Sequence, residues 1–295
     1  MSILPRMLVA TMLLVAVMGN SWAQICDDGL ACYFDESGSN GLISLDIGDD
    51  VPILTGFEIS YIGGDQHIKD FGLGVLPEDP GKFQFILNDN DSDESIRGWA
   101  RFFTYKQTLR QLREFYSVSE TAAILNLRSV SRNNCEGNCQ VEIPGFDKTR
   151  YRLFLSGFKF SFTDGDKHLK QFRIWPTGEV AGTSGVWTTF HDNDRSQKYD
   201  VTLSYVLLPI DHPINGLLYG GTVSETDSDG TVLFPRPNLS GRALSGFGAS
   251  YADNDEHLLK VGVKVDRSGG AVTLRDNDAA ESITPFIASW RLPVE

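Results

Sequence analysis

After Met18 the chain has no apolar run near the ~20 residues a helix needs to cross a bilayer. Positive charge is scarce as well: 26 Lys and Arg stand against 39 Asp and Glu, for a net charge of −13. That balance argues against nucleic acid as a partner, because phosphate binding calls for clustered cations. Familiar enzyme signatures are missing. There is no Gly-x-Ser-x-Gly elbow, no His-Glu-x-x-His pair, no phosphate loop ending in Gly-Lys-Ser/Thr and no dinucleotide glycine pattern. Disorder is excluded too, since hydrophobic residues make up 41% of the chain, enough to build a core.

The one apolar run that is present lies at the start. Arg6, the stretch from Met7 to Met18, and the small residues Ser21 and Ala23 together form the pattern of a secretory signal over residues 1–23. The expected location is therefore secreted or periplasmic. Four cysteines follow, Cys26, Cys32, Cys135 and Cys139, and in an exported chain an even number points to disulfides. Local bridges within the two close pairs are the simplest pairing. Zinc held by four thiols is the alternative, and the two spacings taken together match the usual knuckle poorly.

Self-comparison is more informative. Residues 54–71 read LTGFEISYIGGDQHIKDF, residues 155–172 read LSGFKFSFTDGDKHLKQF, and residues 244–261 read LSGFGASYADNDEHLLKV. The shared pattern is Gly-Phe-x-x-Ser-aromatic, a polar turn, then Asp-x-His-aliphatic. Each copy is followed by Asp-Asn-Asp, at Asp89–Asp91, Asp192–Asp194 and Asp276–Asp278. Fainter Gly- and Asn-rich turns with short apolar stretches precede each copy, at Leu42–Leu45, Val141–Ile143 and Val232–Phe234. The repeats divide the chain into module one (24–106), module two (107–208) and module three (209–295).

Within the motif Phe57, Ile59 and Tyr61 alternate with polar residues, as do Phe158, Phe160 and Phe162, and Phe247, Ala249 and Tyr251. A period of two is the mark of a half-buried strand. The expected fold class is all-β: three repeated antiparallel β-sandwich-like modules, with one pseudo-threefold barrel or propeller-like unit as the alternative. A short helix over Thr108–Tyr116, capped by Thr108 and Gln111, is the single helical expectation.

Two recurring polar elements are candidates for function. If a strand starts at each histidine, His67, Phe71, Leu73 and Val75 share one face, and His67 continues a core-facing column with Asp65 as its hydrogen-bond partner. His67, His168 and His257 are then either corners satisfied by their own aspartates or, in the sharper reading, metal ligands or general bases. The Asp-Asn-Asp turns suit backbone capping, and their crowded carboxylates equally suit Ca2+. The metal-ligand set expected on that second reading is Asp89, Asp91, Asp192, Asp194, Asp276 and Asp278. Glu225, Asp227 and Asp229 resemble a calcium loop, but Arg236 stands where its last ligand belongs. Trp99, Trp175, Trp187 and Trp290 suit either core packing or sugar stacking. Because active sites are ordinarily unique and this motif is threefold, the expected function is a non-catalytic exported binder of an extracellular or cell-surface ligand such as a glycan, its loops stabilised by calcium. A structural envelope or matrix protein, and a secreted hydrolase, are the alternatives.

Overall fold

The computed structural model describes residues 25–27, 31–48, 51–64, 66–90, 94–103, 126–147, 149–176, 185–209, 216–219, 231–235, 242–252, 256–266, 269–277 and 282–291. The expected signal segment, the expected helix over Thr108–Tyr116 and the acidic run Glu225–Asp229 lie outside them. All regular elements described are strands. Module one supplies β1 (Ile25–Asp27), β2 (Ala31–Ser39), β3 (Leu42–Asp46), β4 (Ile53–Tyr61), β5 (Asp70–Val75), β6 (Lys82–Asn88) and β7 (Ser95–Phe103). Module two supplies β8 (Arg128–Glu136), β9 (Asn138–Glu142), β10 (Tyr151–Phe162), β11 (Gln171–Pro176), β12 (Gly185–His191) and β13 (Lys198–Pro209). Module three supplies β14 (Gly216–Tyr219), β15 (Thr231–Pro235), β16 (Arg242–Tyr251), β17 (Lys260–Asp266), β18 (Gly269–Arg275) and β19 (Ile283–Arg291).

The strands form three antiparallel sheets, in the orders β1-β2-β7-β4-β17-β18-β15, β3-β6-β5-β10-β13-β8 and β14-β19-β16-β11-β12-β9. None closes on itself, so the barrel alternative is not what forms. Each module contributes half of two sheets, packed as a sandwich. Each sheet also continues across a seam into the next module, through β5–β10, β11–β16 and β17–β4. The third module thereby pairs back onto the first, and the three seams are cyclically equivalent.

The Gly-Phe motif explains how the seams close. The alternating aromatics of β4, β10 and β16 are buried as their period predicts. Phe57, Phe158 and Phe247 meet one another at ring centroids 5.5, 5.1 and 5.0 Å apart, on a pseudo-threefold axis. Immediately before each phenylalanine the ladder shifts register, between Leu54 and Gly56, Leu155 and Gly157, and Leu244 and Gly246. Such a bulge bends its strand. A Cβ at these glycines would lie 2.8, 2.6 and 2.3 Å from the carbonyl oxygens of Val263, Val75 and Ile174 in the neighbouring module. Glycine is required because the next module's backbone occupies that space.

In module two the turn between β8 and β9, strands of different sheets, is tied by the Cys135–Cys139 disulfide. In module one Cys26 sits directly opposite Cys32 in the β1–β2 ladder. Among the described residues no helix is long and apolar enough to cross a membrane.

Candidate functional site

Past the end of β4, β10 and β16 the three Asp-x-His segments converge on the axis. They join as a triangle of isolated antiparallel bridges, Gln66 with Leu258, Ile68 with Lys167 and Leu169 with Glu256. Each bridge is a mutual pair of N–H···O bonds: 3.0 and 2.8 Å, 2.8 and 2.9 Å, and 2.8 and 3.1 Å. The residues after the histidines, Ile68, Leu169 and Leu258, are fully buried and cap the core. The histidines between the bridged positions are half-buried. This corrects the sequence expectation that each histidine continues the core-facing column. The chain bends at Lys69, Lys170 and Leu259 before the next strand, which shifts the alternation by one position.

The outcome is one cluster. The His67, His168 and His257 rings lie with centroids 4.7, 4.7 and 4.4 Å apart. Each offers a ring nitrogen, and the three nitrogens lie within 4.8 Å of one another. Among the described residues this is the group gathered closely enough to share an ion. Threefold repetition here produces a single composite site, so it no longer argues against a unique centre. Sequence reasoning had the residues but not their meeting; the available signal was that three of the chain's five histidines occupy one repeat position.

His67 also has a hydrogen-bond partner from another module. Its Nδ1 faces Asp166 Oδ2 at 3.1 Å, a carboxylate from the next module's motif; Asp65, the expected partner, lies outside the described residues. Asn90 Nδ2 donates to the other Asp166 oxygen at 2.8 Å, which brings the Asp-Asn-Asp and Asp-x-His motifs together across the seam. Partial burial works against the Asp166 carboxylate, but the bonds from His67, the backbone and Asn90 outweigh it and hold its pKa below the usual value. Beside it, the Tyr61 hydroxyl donates to the His67 carbonyl oxygen at 3.1 Å. Burial first, then Asp89, Glu94, Asp70 and Asp166, push the Tyr61 pKa far upward. The surroundings of His67 are therefore acidic.

The expected calcium ligands fall as follows. Asp91 and Asp278 lie outside the described residues. Asp89 is half-buried and Asp276 is 2% exposed. Asp192 Oδ1 accepts from the Asp194 amide at 2.6 Å, and Asp194 Oδ1 accepts from the Ser196 amide and hydroxyl at 2.9 and 2.8 Å. The Ser196 bonds hold the Asp194 pKa below its usual value. These are side-chain turns of the kind Asp favours.

The outer faces of the seams are not equivalent. In each, a glycine stands opposite a long side chain: Gly72 opposite Lys159, Gly248 opposite Arg173 and Gly262 opposite Glu58. The β11–β16 seam carries a groove of about 360 Å3 with Gly248 in its lining; Arg173 and the Phe172 backbone close over that glycine, 3.0 and 2.7 Å from where a Cβ would stand. There Arg173 lies 3.9 Å from the Trp175 ring centre and 5.4 Å from that of Phe286, and the two rings stack at 4.2 Å. Burial lowers the Arg173 pKa. Gln171, Ser250 and Thr284 add polar groups to the lining.

No family model and no curated protein matches the chain. Among solved structures it aligns with one described as the complete structure of manganese lipoxygenase of Gaeumannomyces graminis and partial structure of zonadhesin of Komagataella pastoris. The alignment has 7% identity over 89% of this chain and 90% of that one, with a TM-score of 0.08. A likeness of that size carries no argument about fold or function.

Proposed function

We propose that this protein is an exported binding protein whose ligand face is the groove across the seam of modules two and three, and whose ligand is a carbohydrate. The observation that carries this reading is the Arg173–Trp175–Phe286 cluster over Gly248. A tryptophan backed by the buried Phe286, with a guanidinium over its ring and hydroxyl and amide groups beside it, offers a sugar both apolar contact and hydrogen-bond partners. At the other seams the corresponding pairs are Gly72 with Lys159 and Gly262 with Glu58, the latter with Trp99 opposite Glu58 on β7. The reading places the ligand at the β11–β16 seam, where the paired side chains differ from those of the other two seams.

The test is a glycan-binding screen of the exported chain, followed by titration of any hit against tryptophan fluorescence. Trp175→Ala and Arg173→Ala should each weaken binding at least tenfold. Unaltered binding in both variants would refute the groove. Calcium at the Asp-Asn-Asp turns is a separate part of the proposal, read by melting the protein with millimolar calcium and with chelator. A raised midpoint supports it, and identical melts leave those aspartates as turn residues alone.

A further inference from the structure

We propose that His67, His168 and His257 form a site for one divalent transition-metal ion of the imidazole-preferring class, such as Zn2+, Ni2+ or Cu2+, held on the pseudo-threefold axis. This goes beyond the carbohydrate reading and does not rest on it. Three observations carry it. The ring nitrogens lie within 4.8 Å of one another. An ion bound tetrahedrally at 2.0–2.1 Å needs its nitrogens about 3.3 Å apart, a closure that small rotations of half-buried rings supply. The segments that carry the rings are already fixed, because the bridges at the neighbouring residues set the three backbones against one another.

The surroundings of His67 match what a metal ligand requires. A ligating imidazole ordinarily turns its other nitrogen to a carboxylate, which fixes the ring and raises its basicity. His67 Nδ1 is turned to Asp166, and Asp166 is itself held by Asn90. Nε2 is then the nitrogen left for the ion. The His67 side chain is 41% exposed, so an ion can reach it from solvent. Imidazole nitrogens are poor ligands for calcium, which takes oxygen, and good ones for zinc, nickel and copper. With three protein ligands the fourth position is left to water. Each ligand comes from a different module, so the ion joins all three at one end of the axis.

The experiment uses the full exported chain without an affinity tag, stripped with chelator and titrated calorimetrically with Zn2+, Ni2+ and Ca2+. The expected result is one Zn2+ or Ni2+ per chain, with no competition from millimolar Ca2+. Each single variant His67→Gln, His168→Gln and His257→Gln should weaken binding at least tenfold, and Asp166→Asn by about 10- to 100-fold. In the unaltered protein Zn2+ should move the ring proton signals of three of the five histidines, a readout that requires no variant to fold. Absence of binding, a stoichiometry other than one, or binding that survives the histidine changes would overturn the site. Loss of the metal site with glycan binding intact would separate this inference from the function proposed above.

Discussion

His191 shows what a single ring contributes when it does not face the axis. It opens the second Asp-Asn-Asp turn, is 5% exposed, and turns Nδ1 to the Asp192 carbonyl oxygen and Nε2 to the Gln171 side chain at 3.2 Å. Burial lowers its pKa, and the Asp192 carbonyl only partly offsets that. The unfolded chain therefore takes up a proton near the ordinary imidazole pKa of about 6.5, while the folded chain resists until the pH is lower. The stability due to the neutral ring is complete above that value and is lost as the pH falls through the folded pKa. Urea unfolding between pH 7 and pH 5 should show stability declining, and His191→Gln should flatten that decline. An identical slope in the variant would assign the acid sensitivity elsewhere. Of the residue-level expectations, the buried alternation of Phe57, Ile59 and Tyr61 was legible because adjacent side chains of a strand face opposite ways. The partner of His67 was not legible, because Asp166 lies 99 positions away and only the seam brings it near.

At the scale of the strand, the bulge before each Gly-Phe is the feature on which the seam depends. A Cβ at Gly157 would meet Val75 and Leu73 backbone atoms at 2.6 to 2.9 Å, and backbone in a paired strand has little room to yield. Gly157→Ala should cost roughly 1–3 kcal/mol, the range of overpacking in a well-filled interior. Gly48→Asn is the control. Gly48 has φ +61 and nothing within 4 Å of a Cβ, and Asn tolerates that conformation, so denaturant unfolding should barely change. Equal effects at the two sites would show that the close approach is not what demands the glycine. The recurrence of Gly-Phe was plain in the sequence, but its reason was not. Period and turn signals report a strand's own burial, whereas this glycine answers to a strand of another module. The start of β5 was misplaced for a related reason: the bend at Lys69 breaks an alternation that reads as continuous from His67.

For the molecule as a whole, the all-β class and the threefold repeat were open to sequence, and the way the modules share their sheets was not. Pairing such as Phe57 with Val263 leaves no local pattern, since each edge reads as an ordinary strand. Each module alone ends in two bare inner edges, β4 and β5 in the first, and an unpaired edge invites association. A fragment of residues 24–106 should therefore aggregate or unfold without a cooperative transition. The full chain should melt in a single calorimetric step. A soluble, cooperatively folding fragment would show that the sandwich needs no neighbour.

The ring of seams also sets a timetable. β4 is among the first strands made, and its outer partner β17 among the last, about 200 residues later; at ordinary rates of synthesis, that is a wait of roughly 10–40 s. Throughout that interval an aromatic strand stands ready to pair with any other chain. The ring of seams therefore closes only when the last module arrives, because the strand that covers β4 belongs to it.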